Sequence, residues 1–150
     1  PLQFLVGTVY SAAGDTQSAI AAYEEALLID PHMAPAANNL AQTLADLDEQ
    51  LVRAEELATR ALRHDLKNSA YADTLGWVWV RSGQYGKAIE LLEKVLEQWP
   101  ESVTTKYHLG YALAKSGQIQ RGQALLNEAA QAQNRPDIAQ AASDALRSID

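Results

Sequence analysis

The chain reads as an all-α stack of small helical repeats, and three observations carry that reading. A two-residue step, Val6-Gly7, Leu40-Ala41, Leu75-Gly76 and Leu109-Gly110, recurs with 34, 35 and 34 residues between the second members. Each step is followed at fixed offsets by the same kinds of residue: Tyr10, Gly14, Ala19, Tyr23, Ala26 and Pro31 in the first repeat, and Trp79, Gly83, Ala88, Leu92, Val95 and Pro100 in the third. No segment alternates apolar and polar with period two, so no strand is expected. A period of this length is that of a supersecondary unit that buries its apolar face only by stacking on its neighbours.

The elements follow in order. Apolar residues at i, i+3 and i+4 place helices at roughly 1–13 and 16–29 in the first repeat, 33–47 and 51–64 in the second, 68–81 and 85–98 in the third, and 102–115 and 119–132 in the fourth. Glycine inside a helix costs about 1 kcal/mol relative to alanine, so Gly7, Gly76 and Gly110 need a packing reason, and close helix–helix approach is one. Gly14, Gly83 and Gly117 stand where the first helix of a pair should end in a left-handed residue. Pro31 and Pro100 block continuation of the second helix. The second repeat departs from the pattern. Its turn, Asp46-Leu47-Asp48-Glu49-Gln50, has no glycine and one extra residue, and Leu66 stands where the others have proline. A longer, irregular turn is expected there. After Asn134-Arg135, Pro136 and Asp137 start a ninth helix over 136–149, whose Ile138, Ala142, Ala145, Leu146 and Ile149 would cover the end of the stack. The repeats thus run over about 1–33, 34–68, 69–102 and 103–135 of a single domain. The chain opens at Pro1 without Met, already inside a repeat, so a fragment of a longer protein is expected.

This pattern resembles the tetratricopeptide repeat, a helix–turn–helix unit of 34 residues. The resemblance covers nearly the whole chain and implies a right-handed superhelical solenoid of four helix pairs plus a capping helix. In that family the first helix of each pair lines a concave groove. Carried onto this sequence, the groove positions are Phe4, Thr8 and Ser11; Asn38, Gln42 and Ala45, with Asp46 beyond; Asp73, Trp77, Val80 and Arg81; and Tyr107, Tyr111, Ala114 and Lys115. Trp77, Tyr107 and Tyr111 either offer aromatic area to a partner or pack between adjacent pairs. Trp79, by helical phase, belongs to the packing face, and Trp99 to the seam between repeats. The basic clamp with which some family members grip a C-terminal carboxylate is not matched. Phe4, Thr8, Asp73 and Trp77 occupy its positions, and Asn39 alone agrees.

Composition narrows the chemistry. With 12 basic and 19 acidic residues the net charge is −7, which argues against a nucleic acid or an anionic membrane surface. There is no cysteine, so thiol chemistry and thiolate metal sites are excluded. No apolar run reaches the length of a spanning helix. His32, His64 and His108 are each about a repeat apart and read as helix-end or surface residues rather than ligands. Asp46, Asp48 and Glu49 lack the central glycine of a calcium loop, and Gly83-Gln84-Tyr85-Gly86-Lys87 follows a helix and lacks phosphate-loop spacing. No catalytic motif, metal or cofactor is expected.

The phrases Ala37-Asn38-Asn39-Leu40-Ala41, Asp73-Thr74-Leu75-Gly76-Trp77 and Tyr107-His108-Leu109-Gly110-Tyr111 are similar to those of bacterial repeat proteins of secretion and exopolysaccharide systems, above all lipoproteins found with PEP-CTERM and exosortase gene clusters. That resemblance implies a non-enzymatic scaffold taking a peptide or partner helix in its groove. A self-associating module, joined through an exposed repeat end, is the second expectation. The compartment stays open between the bacterial envelope and the cytoplasm.

Overall fold

The computed structural model describes residues 1–149. Among them are nine helices and no strand: α1 (Leu2–Ala12), α2 (Thr16–Ile29), α3 (Ala34–Asp46), α4 (Leu51–His64), α5 (Ser69–Arg81), α6 (Tyr85–Gln98), α7 (Val103–Lys115), α8 (Ile119–Ala130) and α9 (Pro136–Ser148). The chain divides into two compact units, Pro1–Arg81 and Ser82–Asp150. In the first, α1 packs on α2 and α3 on α4, with α3 also against α2 and α5. In the second, α7 lies against α6 and α8, and α9 closes over α8 and α7.

The recurring small residues set how closely the helices approach. A Cβ on Gly7 would stand 2.5 Å from Cε1 of the buried Tyr23, so the tyrosine ring of α2 occupies the place of the missing side chain. In the fourth repeat a Cβ on the matching Gly110 would lie 3.0 Å from both the Gly122 carbonyl oxygen and Leu126 Cγ, and the second helix adds a closer backbone contact. A Cβ on Gly122 would lie 2.7 Å from both the Gly110 carbonyl oxygen and the Ala114 nitrogen. In the second repeat Ala41 stands at the register of Gly7 and Gly110 and Ala54 at that of Gly122, and both are fully buried. Such contacts tolerate no added methyl group without a shift of the helices.

The turns within pairs share one hydrogen-bond pattern. After α1, Gly14 N–H donates to Ser11 O (3.1 Å) and Asp15 N–H to Tyr10 O (2.9 Å). After α7, Gly117 and Gln118 repeat the pattern on Ala114 O and Leu113 O (3.2 and 2.9 Å). This is the Schellman closure, which requires a left-handed residue, and Gly14, Gly83 and Gly117 have φ of 77°, 76° and 95°. The glycine-free turn after α3 closes identically. Asp48 takes the left-handed position at φ 58°, and Glu49 N–H reaches Leu44 O at 2.9 Å. The extra residue is absorbed by Gln50, also left-handed at φ 45°, directly before α4. The irregular turn expected there is therefore a regular one with a single added left-handed residue.

The first two loops between pairs share a side-chain closure as well. Asp30 Oδ1 accepts from His32 N–H (3.0 Å) and Asp65 Oδ1 from Lys67 N–H (3.2 Å). Leu66 thus needs no proline to stop α4, because the aspartate before it folds the chain back. Asn68 and Ser102 then cap α5 and α7 through Tyr71 N–H and Thr105 N–H. A salt bridge also repeats in register. Arg53 of α4 meets Glu24 of α2 at 2.7 Å, and Arg121 of α8 meets Glu93 of α6 at 2.8 Å.

Three residues differ from expectation. Trp79 is only half-buried, because its indole Nε1 turns outward to donate to Glu55 Oε1 at 2.9 Å. Trp99, in the loop after α6, is exposed rather than covering a seam. His108 is buried rather than on the surface, since its register position, two before the step, lies inside the stack. The ninth helix does cap the second unit, burying Ala142 and Ala145 against Leu126 and Ala129. Its start is tied down by Arg135, which holds Asp137 at 2.9 Å and Thr104 Oγ1 at 3.1 Å. The hydrogen bond from Arg135 holds the Asp137 carboxyl below the usual carboxylate range.

Gly122→Ala should destabilise the second unit by about 1–3 kcal/mol, read as a lowered Tm. Gly86→Ala, where a Cβ meets nothing within 4 Å, should be neutral or stabilising by up to ~1 kcal/mol. Because the folded Asp137 carboxyl titrates low, its contribution is present at neutral pH and is lost as pH falls through that titration. Arg135→Ala should raise the midpoint toward the ordinary carboxylate value, measured by NMR of the side-chain carboxyl.

Candidate functional site

The first helices of the pairs carry two polar–aromatic clusters, one in each unit. In the N-terminal unit, Gln42 and Asp46 lie one turn apart on α3, and Trp77 and Arg81 one turn apart on α5. Spacing of i and i+4 puts each pair on one helix face. Asp46 Oδ1 accepts two hydrogen bonds, from Gln42 Nε2 (3.0 Å) and from Trp77 Nε1 (2.8 Å). Gln42 Oε1 in turn accepts from Thr74 Oγ1 at 3.4 Å. The Arg81 guanidinium lies 5.5 Å from the Trp77 ring centroid and 3.6 Å from Asp48 Oδ1. The cluster joins α3 to α5 by polar bonds around one indole.

In the C-terminal unit, Tyr107, Tyr111 and Lys115 descend α7 at intervals of four. The two phenol rings meet edge to face, with centroids 6.3 Å apart. Lys115 Nζ stands 5.5 Å from the Tyr111 ring. Both tyrosines are half-buried, leaning on the core of Leu126, Ala129, Ala142 and Ala145 while keeping an open flank. Lys115 is exposed.

The sequence-derived positions fare unequally. Tyr107, Tyr111, Lys115, Gln42 and Arg81 are accessible in part or in full. Trp77 is 3% exposed and Asp73 is buried, so neither offers its side chain as open surface. The reason is packing of α5 on α3. The Trp77 indole fills the space between them and satisfies its N–H on Asp46. Phe4 is directed into a core, tilted against Tyr23 at 6.1 Å and packed on Ala26, Met33 and Ala36. Thr8 turns its hydroxyl back to Leu5 O at 2.7 Å. Asn38 donates to Asn39 Oδ1, and its own buried Oδ1 has no hydrogen-bond partner. Asp48, which engages Arg81, was not among the expected positions. Its signal was the glycine-free turn itself, which brings a carboxylate under α5. At the start of α5, burial and then the Asp65 charge raise the Tyr71 phenol above its ordinary value.

No group of three or more histidine, aspartate or glutamate side chains able to hold a metal occurs among the described residues. No helix among them is long and apolar enough to cross a membrane.

The chain matches the tetratricopeptide repeat family over residues 10–78 and 80–145. It is 32% identical over 81 residues to the TPR repeat-containing protein PA4667 of Pseudomonas aeruginosa, covering 54% of this chain and 14% of that protein's length. Among solved structures it is similar to TTC0263, a thermophilic TPR protein of Thermus thermophilus, with a TM-score of 0.81 at 20% identity over 98% of this chain and 81% of that one. It is also similar to MamA of Desulfovibrio magneticus RS-1, with a TM-score of 0.71 at 18% identity over 90% and 76% of the two chains. An O-GlcNAc transferase of Thermobaculum terrenum gives 0.75 at 24% identity, but only 25% of that chain is covered. These structural likenesses concern the fold, not the transferase reaction or any partner. With the family pattern spanning nearly all of both units, the chain belongs to the tetratricopeptide repeat family.

Proposed function

We propose that this chain is a non-enzymatic scaffold that takes a peptide or a partner helix on the first-helix faces of its repeats. The observation that carries the reading is the α7 ladder. Tyr107 and Tyr111 present half-open rings locked by core packing, and exposed Lys115 extends the same stripe. Rigid aromatics of this kind bury large area at small entropic cost, which is why they dominate binding hot spots. In the N-terminal unit, Gln42 and Arg81 would supply directional polar contacts at the edge of the Trp77 cluster. The similarity of the repeat phrases to envelope repeat proteins supports placing that scaffold in a bacterial secretion or exopolysaccharide assembly.

A second reading is favoured by α1. Leu2, Leu5 and Val9 form one stripe, 75%, 58% and 68% exposed, although the matching positions of α7, Thr105, His108 and Ala112, are buried. An apolar stripe at this register supports packing against a further helix, and a second copy of the chain is the occupant of this second reading.

A photo-crosslinking residue at Tyr111 should trap a discrete protein partner in the native host, and Tyr107→Ser/Tyr111→Ser should lose the partner on affinity capture while helicity by circular dichroism persists. Partner capture unchanged by that double substitution would overturn the scaffold reading. For the second reading, light scattering should show a dimer at high concentration that Leu5→Glu/Val9→Glu converts to monomer. A monomeric parent chain at every concentration would refute it.

A further inference from the structure

A second surface lies on the other helices of the N-terminal unit. Between α2 and α4 runs a groove of about 920 Å³. Its apolar lining is Leu27, Leu28, Pro31, Val52 and Leu57. Leu28 and Val52 stand open at 82% and 78% exposure. They line one groove rather than lying scattered on the surface, and a grouped apolar display of this kind marks an interaction site.

The charges of the groove are the informative part. Of the seven arginines of the chain, five hold a carboxylate: Arg53 on Glu24, Arg81 on Asp48, Arg121 on Glu93, Arg135 on Asp137 and Arg147 on Asp144. Arg60 and Arg63 form no ion pair among the described residues, and both line this groove. They sit one turn apart on α4, so both guanidinium groups project from one side. The groove's glutamates equal its arginines in number, but none of them pairs with Arg60 or Arg63 among the described residues. Glu24 is occupied by Arg53, and Glu55 accepts from the Trp79 indole. Among the described residues Glu56 alone of the groove's carboxylates remains unengaged, against two free guanidinium groups. In a chain of net charge −7 the groove's lining is neutral, with three arginines and three glutamates, and Arg60 and Arg63 are the two cations in it that hold no carboxylate among the described residues.

The C-terminal unit provides an internal comparison. Its α6–α8 groove, of about 610 Å³, includes Leu96 and Leu125 and carries the same cross-helix bridge, Arg121 on Glu93. At the register of Arg60 and Arg63, however, stand Glu128 and Gln131. The free arginine pair is therefore not a requirement of the repeat. It is a property of one groove.

We infer that the α2–α4 groove docks an acidic amphipathic segment of a partner protein. The partner's apolar side chains would lie on Leu27, Leu28, Val52 and Leu57, and its carboxylates, one helical turn apart, would meet Arg60 and Arg63. The planar fork of arginine suits a carboxylate bidentately, which gives register as well as attraction. This surface is independent of the first-helix faces, so binding here and binding there fail separately.

The probe is a synthetic fluorescein-labelled amphipathic peptide with leucines at i, i+3, i+4 and i+7 and paired glutamates on one flank. Its control carries lysine in place of each glutamate. Fluorescence anisotropy with the full chain should show saturable binding of the acidic peptide, weakened as salt rises from about 0.05 to about 0.5 M. Arg60→Glu/Arg63→Glu should reduce that binding roughly tenfold or more, and should gain binding of the lysine peptide. Leu28→Ser/Val52→Ser should weaken both peptides. Tyr107→Ser/Tyr111→Ser should change neither. Chemical-shift mapping should place the acidic peptide on α2 and α4. Equal binding of the two peptides, no effect of the arginine reversal, or shifts confined to α7 would overturn the assignment. So would loss of the groove to a second copy of the chain, seen as sedimentation of a dimer that the acidic peptide does not displace.

Discussion

The packing of the first and fourth helix pairs depends on a distance that a missing Cβ sets. Where Gly122 passes Gly110 and Ala114, backbone meets backbone, and a methyl group has no room. Where Gly7 passes Tyr23, the ring takes the room instead. Both solutions bring the two helices of a pair into close contact. The hydrogen-bonded turns, the aspartate-closed loops and the cross-helix bridges Arg53–Glu24 and Arg121–Glu93 repeat because the spacing beneath them repeats. Salt bridges at this degree of exposure contribute little energy by themselves. Their recurrence reports geometry rather than supplying it.

The fold was legible because its signals are local and redundant. Glycine at a helix end, a small residue at the closest approach and an apolar stripe of period 3.6 each state the same phase, and any one could be lost. The second repeat lost its turn glycine and its proline together. Asp48 and Asp65 made up for both, by tolerating a left-handed backbone and by capping the next N–H groups. A sequence pattern records residue types, whereas the structure needs only the conformation, so the substitution looked like irregularity and was not.

The site was legible only in outline. Helical phase told which residues share the face of Trp77, but not that its indole N–H has a carboxylate within reach. Asp46 lies 31 residues earlier, and that pairing exists only once α3 and α5 are packed. Phe4 and Tyr107 occupy the same repeat position, yet one enters a core and the other keeps an open edge, because their neighbours differ: Tyr23 and Met33 for the first, Tyr111 and the α9 alanines for the second. The free charge of Arg60 and Arg63 was invisible for the same reason. A composition counts arginines, and only the folded chain shows which of them are already engaged.

The turn after α3 takes in a fourth residue while α3 and α4 keep their hydrogen-bonded ends. Chain length is thus not under tight geometric control at Asp48–Gln50, where the residues are exposed and the backbone already lies in an uncommon conformation. For a protein engineer this is a grafting point. A tag, a fluorophore-bearing loop or a short epitope placed there would be carried by two fixed helix ends.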